Sequence, residues 1–469
     1  MGFMIYDIAL LVIFLLIFGI FLYRKRKNVD REGLLFLYRT KWGMKLIDKV
    51  GTKYKKSLHF LSYISIGLGY LLMVGVLWLF YTILKIYLLH PEIVDAIKVP
   101  PIMPLIPYID KVVPFLPPFY FTYWIVILAV IAISHEFAHG IFMRRYGIKI
   151  KSTGFGFFPF FLPVFPAAFV EQDENSMVKA KRFEQKAVLS AGTFANMITA
   201  VVFFAILGIF FVLSFAPAGV VFDDYAYSVV GVSAITMVNG ISVENVSYTT
   251  LGELVEDAEF NQITANGKNY VGIKGFSQDK TEVALYDDAP AIDAGLNGAI
   301  TGINGVDIIT LDDLSAELEK YHGGDKVSVK TKTEEEKTYE IILQDHPTNS
   351  DSSWLGISFS VQSSNGLMNR VFSVISSFKD PHTYYEPKIG EFGWFIYYLL
   401  WWLILISISV ALVNMLPVGI FDGGKFFYLT ILWMTKSEKI AERTFKWVTY
   451  LFLLLLLGLM GVWAYALVM

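Results

Sequence analysis

The stretch Ile133-Ser134-His135-Glu136-Phe137-Ala138-His139-Gly140 decides how the chain is read. His135 and His139 stand four residues apart, so on a helix both imidazoles lie on one face and can share one metal ion. Glu136 sits beside the first of them, where an H-E-x-x-H motif places a general base towards water at the metal. The preceding residues, Phe121 to Ser134, carry no charge and read as the inside of a membrane helix. Ionisable side chains in hydrocarbon are costly and default to a functional role. The plain alternative is a pair of buried histidines beside a satisfied carboxylate.

Working outward, the whole composition fits that setting. The chain is 55% hydrophobic with a mean hydropathy of +0.52, values of a polytopic membrane protein. There is no cysteine, which excludes disulfides, thiolate metal sites and cysteine nucleophiles. Any metal must be held by His, Asp or Glu. The net charge of -3 is unevenly spread and says little, and no nucleic-acid partner is expected.

Six apolar spans are predicted: Phe3 to Tyr23, about Leu58 to Leu89, about Phe119 to Met143, about Ala187 to Phe215, Phe392 to Leu416, and Thr449 to Met469. The first is followed by Arg24-Lys25-Arg26-Lys27, the reverse of a cleaved signal peptide, so it reads as a retained helix with its N-terminus outside. Residues 24–57 hold 12 Lys/Arg against 3 acids, the mark of a cytoplasmic loop. Residues 436–446 carry Lys436, Lys439, Arg443 and Lys446 and read the same way. Both termini are then outside. His135 is nine residues from Arg144, about 14 Å at helical rise, so the motif lies within the bilayer towards the cytoplasm.

Residues 152–170 have no charge, yet three prolines and two glycines forbid a regular helix. An apolar, non-helical stretch survives at membrane depth only where protein or a wet cavity satisfies its backbone. The reading is a re-entrant hairpin beside the metal; the alternative is an interfacial loop packing aromatics at the headgroups. Asn196, in Ala191-Gly192-Thr193-Phe194-Ala195-Asn196, is a buried amide that either joins two helices or faces a substrate. The fifth span breaks at Asn414-Met415-Leu416-Pro417-Val418-Gly419-Ile420-Phe421-Asp422-Gly423-Gly424, a discontinuous helix of the kind that builds intramembrane sites. Asp422 is a membrane carboxylate with no obvious partner except the metal, unless it caps the helix after it.

Residues 216–391 form the one large soluble region, with 27 acidic against 11 basic side chains, which places it on the non-cytoplasmic face. It holds an internal repeat. Asp223-Asp224-Tyr225-Ala226 through Asn239-Gly240 parallels Asp287-Asp288-Ala289-Pro290 through Asn304-Gly305, at an offset of 64 to 65 residues. Short strands, an Asn-Gly turn and a following helix describe a small β-rich module used twice. The second copy resembles a PDZ domain of the protease-associated kind, through Ala289-Pro290-Ala291, Gly295-Leu296, Ile303-Asn304-Gly305 and Gly324-Asp325-Lys326-Val327. PDZ domains bind peptide ends by strand addition, but the usual glycine-rich carboxylate loop is not evident, and a size filter or docking platform fits as well.

H-E-x-x-H in one membrane helix, Asn196 in the next and N-x-x-P-x-x-x-x-D-G in a third together resemble the site-2 proteases, intramembrane zinc metalloproteases. Gly154-Phe155-Gly156 to Pro166-Ala167-Ala168-Phe169-Val170 is similar to the archaeal and eukaryotic branch. The resemblance covers about 119 to 200 and 392 to 435, plus the PDZ-like insert. It implies one Zn2+ per chain held by His135, His139 and Asp422, with Glu136 as general base and the fourth position left for water. Asn414 matches the family asparagine held to bind substrate or stabilise the oxyanion. Asn196 matches the asparagine of a G-P-x-x-N motif, with Thr193 in place of its proline. The implied substrate is a transmembrane segment of a single-pass membrane protein in the lipid bilayer, trimmed beforehand by another protease. A homodimer is compatible with the reading.

The expected fold is therefore a polytopic α-helical membrane protein of about six transmembrane helices, with a re-entrant β-hairpin and an extracytoplasmic, β-rich, PDZ-like insertion. It divides into N-terminal helices and basic loop (1–118), first core part (119–215), two PDZ-like repeats (216–286 and 287–365), a linker (366–391), second core part (392–435) and a last helix (436–469). Two rivals remain in view. A metal transporter needs a polar path across the bilayer, and only Glu136 and Asp422 are acids placed centrally. A catalytically silent membrane adaptor, binding partners through the PDZ-like region, predicts a lost ligand or base, and none is missing.

Overall fold

The computed structural model describes residues 3–32, 35–90, 94, 100–101, 103, 105–113, 116–158, 165–244, 246–255, 261–277, 279–333, 335–347, 349–359 and 377–468. The tip of the expected hairpin (159–164) and the first part of the expected linker (366–376) lie outside these residues. The chain forms two compact units, Met1–Ile209 with Phe395–Met469, and Phe210–Trp394.

Among the described residues six helices are long and apolar enough to cross a membrane: Phe3–Asn28, Lys55–Leu89, Phe121–Arg145, Arg182–Ser214, Glu391–Asn414 and Glu438–Tyr465. Five match the expected spans to within about five residues; the last begins at Glu438 and not at Thr449, so most of the basic stretch 436–446, read as a loop, is the first turns of a helix that charged side chains carry past its apolar part. The regular elements that build the first unit are α1 (Phe3–Lys25), β1 (Val29–Glu32), β2 (Leu35–Thr40), α2 (Met44–Lys53), α3 (Lys55–Leu89), α4 (Phe121–Arg145), β3 (Ile150–Phe158), β4 (Phe165–Gln172), α5 (Glu174–Lys179), α6 (Arg182–Ser214), α7 (Glu391–Asn414), α8 (Asp422–Thr435) and α9 (Glu438–Val468).

α4 is the axis of this unit. Its N-terminus begins after Tyr120, which offers no side-chain cap. The cap comes instead from α1. Asp7, buried and 1% exposed, accepts hydrogen bonds from the N–H groups of Phe121 (2.7 Å) and Thr122 (2.9 Å), from the Thr122 hydroxyl (2.5 Å) and from the Tyr108 hydroxyl (2.8 Å). A carboxylate at the positive end of the helix dipole is well placed, and it uses two of the helix's orphan donors. At the other end, α2 crosses the last turns of α4. Ile47 is fully buried, and a Cβ on Gly140 would come within 2.9 Å of its Cδ1, so glycine sets the approach.

The hairpin expected at 152–170 is present as β3 and β4, paired antiparallel with Gly154 opposite Phe169 and Thr153 opposite Val170. It is not alone. β1 and β2 extend it to a four-stranded sheet in the order β1-β2-β3-β4, with Tyr38 opposite Phe155. A Cβ on Gly154 would lie 2.3 Å from the Tyr38 carbonyl oxygen, so only glycine admits the neighbouring strand here. The basic loop of 24–57 is thus partly sheet and partly helix. β4 is left as the edge strand, packed along α4.

In the second unit the two repeats are visible as matching hairpins. Ile235–Val238 and Ala299–Ile303 each turn through an Asn-Gly pair with positive φ, 49° and 81° at Asn239-Gly240 and 48° and 81° at Asn304-Gly305. The asparagine side chains act alike: Asn239 Oδ1 accepts from the Gln262 N–H and Asn304 Oδ1 from the Ser328 N–H. Each hairpin is followed by a capped helix, Tyr248–Leu254 after Ser247 and Leu311–Leu318 after Thr310. The strands do not respect the linear division at 286/287. Phe215–Val220 pairs with Ala299–Ile303 and Thr383–Pro387, and Asp224–Tyr225 pairs with Ile357–Ser358. Residues 227–287 form their own sheet inside the other module. The stretch read as linker supplies a strand, Thr383–Pro387. Nesting of this kind needs long-range pairing that local pattern does not report.

Candidate metal centre

The four-residue spacing on α4 brings His135 and His139 to one face, both buried. The third group arrives from the broken span. α7 ends at Asn414, residues 415–421 form turns, and α8 restarts with Asp422 as its first residue. Glycines permit that restart: a Cβ on Gly423 would lie 2.4 Å from the Met415 carbonyl carbon, and one on Gly424 2.4 Å from the Val418 oxygen. The Asp422 carboxylate does not cap its own helix; it reaches the two imidazoles.

The donor atoms converge. His135 Nε2 and His139 Nε2 are 3.0 Å apart, and Asp422 Oδ2 lies 3.1 Å from the second and 3.3 Å from the first. Ligands held at about 2.0 Å by a tetrahedral ion lie roughly 3.3 Å from one another, so the triangle has the edge lengths of a zinc face. The tautomers agree. His139 Nδ1 donates to the Val188 carbonyl oxygen at 2.7 Å, which leaves its Nε2 lone pair facing the carboxylate. Lone pairs at that separation repel unless a cation sits among them. His135, His139 and Asp422 can therefore hold a metal ion.

Asn196, expected to join helices or face substrate, is fully buried and lies against His135. Its Nδ2 is 3.0 Å from Nδ1 of the ring, while its Oδ1 is buried without a hydrogen-bond partner. Turning the carboxamide by 180° moves no other group and puts Oδ1 on Nδ1–H, which frees Nε2 for the metal. Asn196 thus contacts the His135 ring; it is not among the residues that line the cavity.

That cavity, about 890 Å³, is bounded by His135, Glu136, His139, Asn414 and Asp422 on one side and by Ala168 to Gln172 of β4 on the other. Glu136 accepts a hydrogen bond from the Val170 N–H at 2.9 Å. Asn414 borders the same space, and its side chain makes no hydrogen bond among the described residues. Two contributors escaped the sequence. One is the Val170 amide, since a backbone donor leaves no trace in residue type. The other is Gly192 of α6, where a Cβ would lie 2.4 Å from His135 Nε2 and 2.5 Å from His139 Nε2. Its only signal was its place one turn before Asn196 in a helix that faces the histidines.

Residues 123–459 match the model of peptidase family M50. A stretch of 195 residues is 32% identical to an uncharacterized protein of Methanocaldococcus jannaschii, covering 40% of this chain and 48% of that one. A stretch of 69 residues is 41% identical to proteins from two strains of Xylella fastidiosa named "Putative zinc metalloprotease", covering 15% of this chain and 14% of theirs. The chain therefore spans about half the length of the first relative, or less in the other two.

Proposed function

This chain belongs to peptidase family M50, and we propose that it is a zinc-dependent endopeptidase that cuts transmembrane segments of single-pass membrane proteins inside the bilayer. The observation that carries this is the triangle of His135, His139 and Asp422 opening, beside Glu136, into a cavity between apolar helices and the edge strand β4. When bound, zinc supplies Lewis-acid activation of water and of the scissile carbonyl.

The remaining work falls to the chain. Glu136 takes the proton of the attacking water and delivers it to the amine that leaves when the C–N bond breaks. Its carboxylate is aimed by the Val170 N–H. The Asn414 carboxamide, unpaired at the cavity wall, donates to a substrate carbonyl. A substrate helix hides its amides in its own hydrogen bonds and must unwind before attack. β4 is an edge strand along the cavity, so the unwound segment adds to it as a further strand. Val170 faces Glu136, and by the two-residue period Ala168 and Gln172 are the positions that face the substrate strand.

The basic stretches 24–57 and 436–446 lie in the cytoplasm in this reading, and the acidic Phe210–Trp394 unit lies outside. Its two nested, PDZ-like modules screen substrates by size or hold a new chain end after the first cut. In the test, purified wild type and Glu136→Ala meet a detergent-solubilised model transmembrane substrate, with zinc content read in parallel. Loss of cleavage with zinc retained is expected. Persistent cleavage, or absence of zinc from both proteins, overturns the reading.

A further inference from the structure

We propose that α2 is a docking site for anionic phospholipid headgroups, placed against the outer face of the helix that carries the metal ligands. Lys45, Lys49 and Lys53 recur every four residues and form one exposed stripe on α2, continued by Lys41 and Lys56 at its ends. Among the described residues none of these five lysines pairs with a carboxylate. Asp48, the one acid on α2, is taken by Arg144 of α4. Large apolar side chains flank the stripe in the open: Trp42 is 55% exposed, Leu46 51% and Tyr54 49%.

The position of α2 argues for a membrane surface as occupant. Only Tyr54 separates α2 from α3, a membrane-crossing helix, and α2 lies along the last turns of α4, another one. It is therefore level with the headgroups, where Trp and Tyr belong and where lysines meet phosphate. Zwitterionic headgroups bring no net charge to five uncompensated lysines, whereas anionic ones do. The site also touches the machinery. Trp42 packs 5.5 Å from the Phe137 ring, next to Glu136, and Ile47 packs on Gly140, next to His139. A headgroup bound along the stripe holds α2 on α4 and stiffens the helix of the metal site.

The test reads thermal melting of the full chain in neutral detergent as phosphatidylglycerol or phosphatidylcholine is added, at low and high salt. This readout does not depend on peptidase activity. Phosphatidylglycerol raises the midpoint by about 5 °C at saturation, salt weakens the effect, and phosphatidylcholine does much less. The triple variant Lys45→Gln, Lys49→Gln, Lys53→Gln keeps its lipid-free midpoint and loses most of the shift. A triple variant of equal charge change in the second unit, Lys326→Gln, Lys330→Gln, Lys337→Gln, keeps the shift. An unchanged shift in the α2 variant overturns the proposal. So does an equal shift from phosphatidylcholine, from inorganic phosphate or from a short oligonucleotide.

Discussion

The backbone N–H of Val170 donates to Oε2 of Glu136 at 2.9 Å, joining the edge strand of the sheet to the acid of the H-E-x-x-H helix. The strand, Glu136 and the three converging donor atoms are therefore tied together, and whatever pairs with β4 is registered against Glu136.

Proline at 170 tests this link. It removes the one donor that Glu136 uses among the described residues and no ladder bond of β3, because the Val170 N–H points off the sheet edge. Val170→Pro should lower cleavage roughly 10–100-fold, part of the general-base contribution, while zinc content stays at wild-type level. Val170→Ala should cleave normally. Equal activity of the two variants would show that the amide does not aim the carboxylate.

Gly192 offers a sharper cut at the metal itself. A methyl group there overlaps both Nε2 atoms at 2.4–2.5 Å, and the fully buried Ser190 and Ser65 hydroxyls, 2.7 Å apart, oppose a retreat of α6 from α3. Gly192→Ala should give a folded protein with little bound zinc, measured by metal analysis after dialysis. Wild-type zinc content would mean that the helix yields.

The metal face was legible in the sequence because histidines are few, a helix fixes their spacing, and Asp422 stood at a break where a charge needs a reason. The six spans were legible from length and apolarity alone. β1 and β2 were not, since counting lysines and arginines over 24–57 averages away the short apolar run Leu35-Phe36-Leu37-Tyr38. Asn196 was found, but its partner was not, because a buried amide names no neighbour. Asp7 and Gly192 were invisible for opposite reasons: one acid near the end of an apolar span looks like fraying, and a glycine in a helix has no chemistry to announce. The nesting of the two soluble modules depends on pairs such as Ile300 with Val220, 80 positions apart, beyond the reach of any local pattern.

Asn196 makes a prediction about which end of its carboxamide faces His135. An acceptor facing Nδ1–H is what a metal-binding ring requires. Asn196→Asp keeps that acceptor and should hold zinc nearly as well as wild type. Asn196→Ala should bind it 10–100-fold more weakly, as lost outer partners of metal-bound histidine do. Competition with a chromophoric chelator reads both. If the aspartate variant is the weaker of the two, the nitrogen end faces the ring and the assignment is reversed.

Asp7 should matter for stability and not for metal. Its carboxylate receives four hydrogen bonds at the start of α4 while 1% exposed. Asp7→Ala leaves the Phe121 and Thr122 amides without that partner in an apolar setting, a loss of about 2–3 kcal/mol for charge-assisted bonds. The metal site is four helical turns away at the other end of α4, at about 5.4 Å per turn, and its ligands are held by α6 and α8. Reversible unfolding in mixed micelles should therefore show a clear fall in stability, with zinc stoichiometry unchanged in the folded fraction. A variant as stable as wild type would show that packing of α1 against Tyr120 and Phe121, through Phe3 and Phe14, suffices without the cap.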